Sequence, residues 1–189
     1  MSGPRVALYG GSFDPPHVAH VLAVAWLRSA APVDAVWLLP VAHHPHGKRT
    51  TDFALRVQMV RAAMSVFADG VEVRLDEAEP GATGRSLDLV QALVARHPRH
   101  RFRFVLGTDQ VAIRDRWHRF DALAALAPPI VLGRPGIPGA PGLEPAIDLP
   151  DVSSTDLRRR VAHGESTAGL LPDAVRRLVD AHGLYRESE

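Results

Sequence analysis

Hydrophobic residues along the chain fall into two alternating patterns. Short apolar runs bounded by glycine, proline or polar residues predict five buried strands, at residues 6–9, 35–39, 71–75, 102–106 and 130–132. Segments with apolar residues three or four positions apart predict helices, at residues 18–30, 53–67, 87–97, 121–127, 154–163 and 172–182. In the second of these helices, Phe53, Val57 and Val60 fall on one side. The Pro- and Gly-rich residues 135–150 predict an irregular surface loop.

The alternation of strands with helices indicates the class of fold. It predicts an α/β protein with a Rossmann-like, doubly wound, mainly parallel sheet and helices on both faces. We expect residues 1–189 to form a single domain that ends in a short helical segment at about 151–189. In such sheets ligands bind beyond the carboxyl ends of the strands, so polar side chains that follow strands are candidate site residues.

Composition narrows the kind of ligand. The 189 residues carry a formal net charge of +1, with basic residues spread along the chain, which argues against nucleic acid as a partner. No apolar run reaches membrane-spanning length and residues 1–9 do not resemble a signal peptide, so we expect a cytoplasmic protein without a membrane partner. Lys48 is the sole lysine among 22 basic residues. It is either needed as a compact, flexible ammonium or is an incidental loop charge.

The first group of chemically active side chains follows the first strand. Gly10 and Gly11 allow a sharp turn and a close approach of the backbone to a ligand. Asp14, followed by two prolines, predicts an N-cap for the next helix. His17 and His20 would then lie together beside the positive end of that helix, where phosphate binds well. Imidazoles there could stabilise charge on a reacting phosphoryl group. The alternative is a capped helix with two incidental histidines.

The second group is the string Val-Ser-Ser-Thr-Asp-Leu-Arg that ends at Arg158. Ser153 and Asp156 have the spacing of a capping box. The hydroxyls of the string would add to the free N–H groups of a helix N-terminus, and Arg158 can reach the same end from one turn further on. Taken alone, the string favours an ordinary N-cap followed by solvated arginines, because such caps are common. A second phosphate site is the alternative, and the family resemblance described next implies it.

The string from Gly10 to His20 closely resembles the signature Gly-Gly-Ser/Thr-Phe-Asp-Pro-x-His-x-Gly-His of the nucleotidyltransferase superfamily. Ala19 stands in place of the family glycine, a departure of one methyl group. The second string resembles the motif Ile/Val-Ser-Ser-Thr-x-x-Arg, which holds the ATP phosphates in that superfamily. The resemblance implies that a set of residues from both strings and from later strand ends binds ATP: Gly10, Gly11, Ser12, Phe13, His17, His20, Gly107, Asp109, Arg134, Ser153, Ser154, Thr155 and Arg158.

Other segments resemble one family within that superfamily, the nicotinate-nucleotide adenylyltransferases. Residues 40–48 partly match its loop Pro-x-x-x-Pro-Pro-His-Lys, with Gly47 as an apparent insertion. Residues 107–109 match its Gly-x-Asp, residues 134–136 its Arg-Pro-Gly, and residues 84–88 correspond to its Ser-Tyr-Thr-x-Asp with two substitutions. The family tryptophan that stacks on the pyridine ring also has a counterpart. The resemblance implies these acceptor-binding residues: His46, Arg85, Ser86, Asp109 and Trp117.

The resemblance implies transfer of the adenylyl group of ATP to nicotinate mononucleotide, with His17, His20 and Lys48 as catalytic residues. Mg²⁺ is expected with ATP, held mainly by the phosphates and without a metal site built from protein side chains. The expected partners are ATP and a pyridine mononucleotide, and a homo-oligomer is compatible with the sequence. The substituted loops leave nicotinamide mononucleotide or phosphopantetheine open as the acceptor. A nucleotide-binding sensor without catalysis is the alternative from another class.

Overall fold

The sheet of the computed structural model, which describes residues 3–42 and 50–186, contains six parallel strands. Their spatial order is β3-β2-β1-β4-β5-β6. The strands are β1 (Arg5–Gly11), β2 (Ala35–Pro40), β3 (Val71–Val73), β4 (Arg101–Gly107), β5 (Pro129–Gly133) and β6 (Ile147–Asp148). All five predicted strands are present. The prediction of an irregular loop over residues 135–150 was wrong at β6, because two residues between proline-rich stretches are too few to show a strand period.

Helices connect the strands and close the chain. They are α1 (Val18–Ser29), α2 (Phe53–Met64), α3 (Ser86–Arg96), α4 (Thr108–Val111), α5 (Phe120–Leu126), α6 (Ser154–Ala162) and α7 (Asp173–Ala181). The helix predicted over 53–67 ends three residues early, where the N–H of Ser65 turns back to the carbonyl oxygen of Ala62. The four-residue α4 was not predicted, because one turn gives no apolar periodicity.

Side chains that alternate along the strands supply two separate cores. Leu38 and Val105 point to the face that is covered by α1, α2, α6 and α7. Leu39 and Leu106 point to the opposite face, which is covered by α3 and α5. Each such leucine is at most 3 % exposed and contributes about 1.5–3 kcal/mol by its burial. Helices on both faces confirm the doubly wound α/β fold, and the helical C-terminal segment packs on the same core as α1 and α2.

The strand order reverses between β1 and β4, the two central neighbours of the sheet. The chain leaves β1 for β2 and β3 on one side, then crosses to β4 and β5 on the other. The carboxyl ends of β1 and β4 therefore open onto the crevice at the reversal, where ligands bind in sheets of this kind. Gly10 and Gly11 stand at one side of this crevice and Gly107 at the other. Across residues 3–42 and 50–186, no helix is long and apolar enough to cross a membrane.

Candidate active site

The two glycines that end β1 have different surroundings. Gly10 is exposed, and a Cβ built there would lie no closer than 4.0 Å to its nearest neighbour, the carbonyl oxygen of Leu39. A Cβ at Gly11 would lie 3.1 Å from Cζ of the Phe13 ring and 3.3 Å from two further ring atoms. A side chain at Gly11 would therefore push on the Phe13 ring. Gly10 leaves open space at the crevice.

Phe13 holds the turn after β1 in an unusual shape. Its backbone has φ 47°, a left-handed conformation that costs free energy for a residue with a side chain. The ring is 2 % exposed and meets Tyr9 edge-on at 5.7 Å and His20 at 5.0 Å between ring centroids. The turn thus places an aromatic ring directly against one of the candidate catalytic imidazoles.

His17 and His20 lie together at the N-terminus of α1, as predicted from their spacing. Their ring centroids are 3.8 Å apart, and His20 Nδ1 accepts a hydrogen bond of 3.1 Å from the backbone N–H of His17. Because Nδ1 accepts, the neutral His20 ring carries its proton on Nε2 and can donate it to a ligand oxygen. The prediction that Asp14 caps this helix was wrong: His17 occupies the N-cap position. The Asp14 carboxylate instead accepts hydrogen bonds from more distant parts of the chain.

Burial keeps both imidazoles neutral. It lowers the pKa of His17 from 6.5 to about 4, and the positive charge of Arg134 adds to this effect. Burial likewise brings the pKa of His20 well below its ordinary value, with further lowering by His17 and Arg134. His17 Nδ1 has no hydrogen-bond partner within the described part of the chain. At neutral pH the pair therefore consists of uncharged N–H donors beside a helix N-terminus, a setting suited to phosphate oxygens.

The second motif docks onto the first. The Ser153 hydroxyl caps α6 by accepting a 3.1 Å hydrogen bond from the N–H of Asp156. Ser154 Oγ donates to the carbonyl oxygen of Pro15 at 2.9 Å, and Arg158 Nη1 donates to the carbonyl oxygen of Asp14 at 2.6 Å. The two strings, which lie far apart along the chain, thus share one surface.

In a capping box the N3 side chain also accepts a hydrogen bond from the backbone N–H of the N-cap residue. This part of the prediction was wrong. The Asp156 carboxylate does not turn back to the start of α6. It pairs instead with Arg159 at 2.9 Å and with Arg160 at 2.7 Å. Arg158 faces the first motif. Its guanidinium also donates a 3.3 Å hydrogen bond to Oγ1 of Thr155, within the second motif.

A hydrogen bond of Thr108 joins the ends of β4 and β5, and no sequence motif had pointed to this residue. Thr108 is fully buried, and its Oγ1 accepts a 3.1 Å hydrogen bond from the backbone N–H of Arg134. The neighbouring Asp109 carboxylate folds back over Gly107, so closely that a Cβ on that glycine would overlap Asp109 Oδ1. Burial raises the pKa of Tyr9, and the negative charge of Asp109 raises it further. Asp109 is therefore placed beside the crevice, near β1.

The residues predicted to bind the acceptor are less tightly gathered. Arg85 is exposed at the N-cap position of α3, and Ser86 is the first residue of that helix. Trp117 is half-buried and meets Phe104 edge-on at 5.9 Å. Within residues 3–42 and 50–186, no hydrogen bond or ring contact joins Arg85 or Trp117 to the histidine pair. His46 and Lys48 lie outside the residues that the structure describes.

A Gly-Gly turn, paired neutral imidazoles and a second helix N-terminus around one crevice define a nucleotide-binding α/β enzyme. Residues 8–160 match the model of the cytidylyltransferase-like family, so the chain belongs to this family of nucleotidyltransferases. Comparison with individual proteins is more specific. A protein of Anaeromyxobacter sp. (strain K) named "Probable nicotinate-nucleotide adenylyltransferase" is 46 % identical over 190 aligned residues, covering 98 % of this chain and 100 % of that protein. A protein of the same name from Myxococcus xanthus (strain DK1622) is 38 % identical and covers 96 % of this chain and 94 % of its own.

The chain therefore belongs, more narrowly, to the nicotinate-nucleotide adenylyltransferases, and the family resemblance drawn from the sequence is confirmed. A solved structure with a similar fold carries a related name. The structure of Plasmodium falciparum nicotinic acid mononucleotide adenylyltransferase complexed with NaAD superimposes with a TM-score of 0.82. The superposition covers 96 % of this chain and 97 % of the Plasmodium falciparum chain, and the two sequences are 17 % identical.

Proposed function

We propose that this protein transfers the adenylyl group of ATP to nicotinate mononucleotide, giving the deamido dinucleotide and pyrophosphate. The observation that carries the proposal is the pair of neutral imidazoles, His17 and His20, 3.8 Å apart at a helix N-terminus beside the open Gly10. The acceptor is supported by the name of the relatives and by the NaAD with which the Plasmodium falciparum enzyme is complexed.

In the proposed reaction a 5′-phosphate oxygen of the acceptor attacks the α-phosphorus of ATP. The bond from that phosphorus to the bridging oxygen breaks, and pyrophosphate leaves with the bonding electrons. His20 Nε2–H would donate to the phosphoryl group as negative charge develops, and His17 would do so beside it. Because these donors are fixed before the reaction, they stabilise the transition state without reorganising.

Phosphate binding is assigned to the second motif as well. Arg158 has five N–H donors, of which the bonds to Asp14 and Thr155 occupy two, so the guanidinium retains donors for a triphosphate. The N-terminus of α6 adds its free N–H groups. We assign Lys48 to catalysis and His46 to the acceptor on the basis of the family resemblance.

The acceptor would lie on the β4 side of the crevice. We assign Asp109 to a ribose or to the acceptor, Trp117 to the pyridine ring, and Arg85 with Ser86 to the nicotinate carboxylate. The half-burial of Trp117 supports this assignment, because the core holds one part of the ring and leaves the rest for stacking.

Mg²⁺ is part of the proposal as the partner of ATP. It would be held by the phosphates, and within residues 3–42 and 50–186 no three His, Asp or Glu side chains gather into a metal-ligating group. The ion would neutralise phosphate charge, while His17, His20 and Arg158 orient the oxygens. A cytoplasmic location and partners limited to small molecules complete the proposal.

The test is pyrophosphate release from ATP and Mg²⁺ with nicotinate mononucleotide, nicotinamide mononucleotide and phosphopantetheine as separate acceptors. We expect nicotinate mononucleotide to be preferred and His20→Ala to lower kcat by about a hundredfold or more, the loss of one transition-state donor. His182→Ala, at an exposed histidine beyond α7, is the matched control and should stay within about twofold of wild type.

Two outcomes would overturn parts of the proposal. Preference for another acceptor would refute the nicotinate assignment and direct attention to Arg85. Tight ATP binding without pyrophosphate release on any acceptor would favour a sensor over an enzyme.

A further inference from the structure

Asp14 makes long-range contacts that the proposed reaction does not explain. It is 4 % exposed, and both carboxylate oxygens accept hydrogen bonds: Oδ1 from the hydroxyl of Tyr185 at 2.6 Å and Oδ2 from the N–H of Thr51 at 3.1 Å. Its backbone carbonyl oxygen accepts from Arg158. Hydrogen bonds to a charged group are shorter and stronger than neutral ones, so these contacts fix the position of Asp14 firmly.

Arg56 makes a matching set of contacts on the other side of the same turn. Its side chain is buried with the apolar residues of α2, and the residue is 1 % exposed. The guanidinium donates to the carbonyl oxygens of Ser12 at 2.9 Å, Val41 at 2.8 Å and Thr51 at 2.8 Å. A buried cation is costly unless its N–H groups find acceptors, and here three of the five N–H groups donate to backbone carbonyl oxygens.

These two sets of contacts bracket Phe13. Arg56 fixes Ser12 immediately before it, and Tyr185 fixes Asp14 immediately after it. Phe13 itself has the left-handed φ of 47°. A backbone conformation of this kind persists only where the surrounding contacts over-determine it, and such positions cluster at functional sites. The ring held in this way contacts His20 at 5.0 Å.

We propose that Arg56 and Tyr185 are positioning residues, which set the His17–His20 pair through the Ser12–Phe13–Asp14 turn. The proposal rests on the function proposed above for the histidines. It gives Tyr185 a part in the reaction rate, although within residues 3–42 and 50–186 Tyr185 forms no hydrogen bond or ring pair with either motif histidine. Misplacement of a reacting group by about 1 Å can cost a hundredfold in rate, so small relaxations of this turn should be visible in kcat.

The experiment compares Tyr185→Phe with wild type in full-length protein, at a temperature well below the Tm of both. The substitution removes one hydroxyl and keeps the ring. Arg176→Gln, which breaks an exposed 3.1 Å ion pair with Asp173 in α7, is the control in the same segment. We expect Tyr185→Phe to lower kcat by about tenfold and to leave the Kd of a non-hydrolysable ATP analogue within about threefold. The control should stay within about twofold of wild type.

A second readout does not depend on turnover. The imidazole ¹⁵N chemical shifts of His17 and His20 should move in Tyr185→Phe and remain unmoved in Arg176→Gln. Arg56→Lys, which keeps the charge but loses the planar fork, should move the same two signals.

The kcat of Tyr185→Phe and the two histidine shifts decide whether Tyr185 has a positioning role. If wild type is active, a kcat loss of less than about fivefold in Tyr185→Phe overturns the positioning role, whatever the change in Tm. If wild type turns over no acceptor, the proposed function fails separately. The histidine shifts then decide, and unmoved shifts overturn the inference.

Discussion

The contrast between Gly10 and Gly11 offers a test in which stability and ligand binding should separate. Both residues are replaced by alanine, one at a time, so the chemical change is one methyl group in each case. At Gly11 the new methyl would press on the Phe13 ring at 3.1–3.3 Å, a distance at which the ring must give way. At Gly10 the same methyl would have its nearest neighbour at 4.0 Å, an ordinary contact.

The expected magnitudes follow from this difference. Overpacking at a buried ring typically costs about 1–3 kcal/mol, and in a chain of 189 residues this corresponds to a fall in Tm of roughly 2–12 °C for Gly11→Ala. Gly10→Ala should leave Tm within about 2 °C, because the methyl meets no obstacle and the unfolded chain loses some freedom. In the proposed function, however, the methyl would stand in the space that ATP occupies, and we expect the KM for ATP to rise about tenfold, a loss of about 1.4 kcal/mol.

The assays are thermal unfolding followed by circular dichroism, and pyrophosphate release at varied ATP concentration. The two variants control each other. Gly10→Ala with normal KM for ATP would refute the idea that Gly10 leaves room for the nucleotide. Gly11→Ala with unchanged Tm would show that the Phe13 ring yields freely, and would contradict the packing argument.

Two further predictions concern the same crevice. The pKa of His17 is lowered from 6.5 to about 4, so the unfolded chain binds more protons between these values and stability should fall with falling pH by up to roughly 3 kcal/mol. Urea unfolding at pH 7.5, 5.5 and 4.5 measures this loss. We expect the free energy of unfolding of His17→Gln to fall less with pH. An identical pH dependence in wild type and variant would contradict the role of His17 in the loss. Thr108→Val should cost about 0.5–1.5 kcal/mol, because the partly buried N–H of Arg134 loses its acceptor. Chemical denaturation checks this, and a value near zero would mean that the end of β5 relaxes to find another partner.

Local patterns in the sequence were enough to locate five of the six strands and to pair the two histidines of the first motif. Apolar runs ending in glycine located β1 and β4, and the spacing of His17 and His20 brought the two rings together on α1. These features depend on residues within a few positions of one another, which is the range over which periodicity and capping act.

Contacts between distant residues could not be read in the same way. Asp14 followed by two prolines has the local signal of an N-cap, yet its carboxylate binds Tyr185, 171 positions away. Arg56 gives no local signal of its buried hydrogen bonds, one of which joins it to the carbonyl oxygen of Ser12, 44 positions earlier. The roles of Lys48 and His46 stay predictions, because they lie outside the residues that the structure describes.

The hydrogen bond between Asp14 and Tyr185 also bears on how the protein is made. A nascent chain emerging from the ribosome carries the Gly-Gly turn early, but the partner of Asp14 is translated 171 residues later. At ordinary elongation rates of about 5–20 residues per second, that interval is roughly 10–30 s. During vectorial synthesis the central strands have time to pair before the turn receives its final restraint. Given the positioning role proposed for Tyr185, full activity should therefore appear only after this residue has been translated, later than the pairing of the central strands.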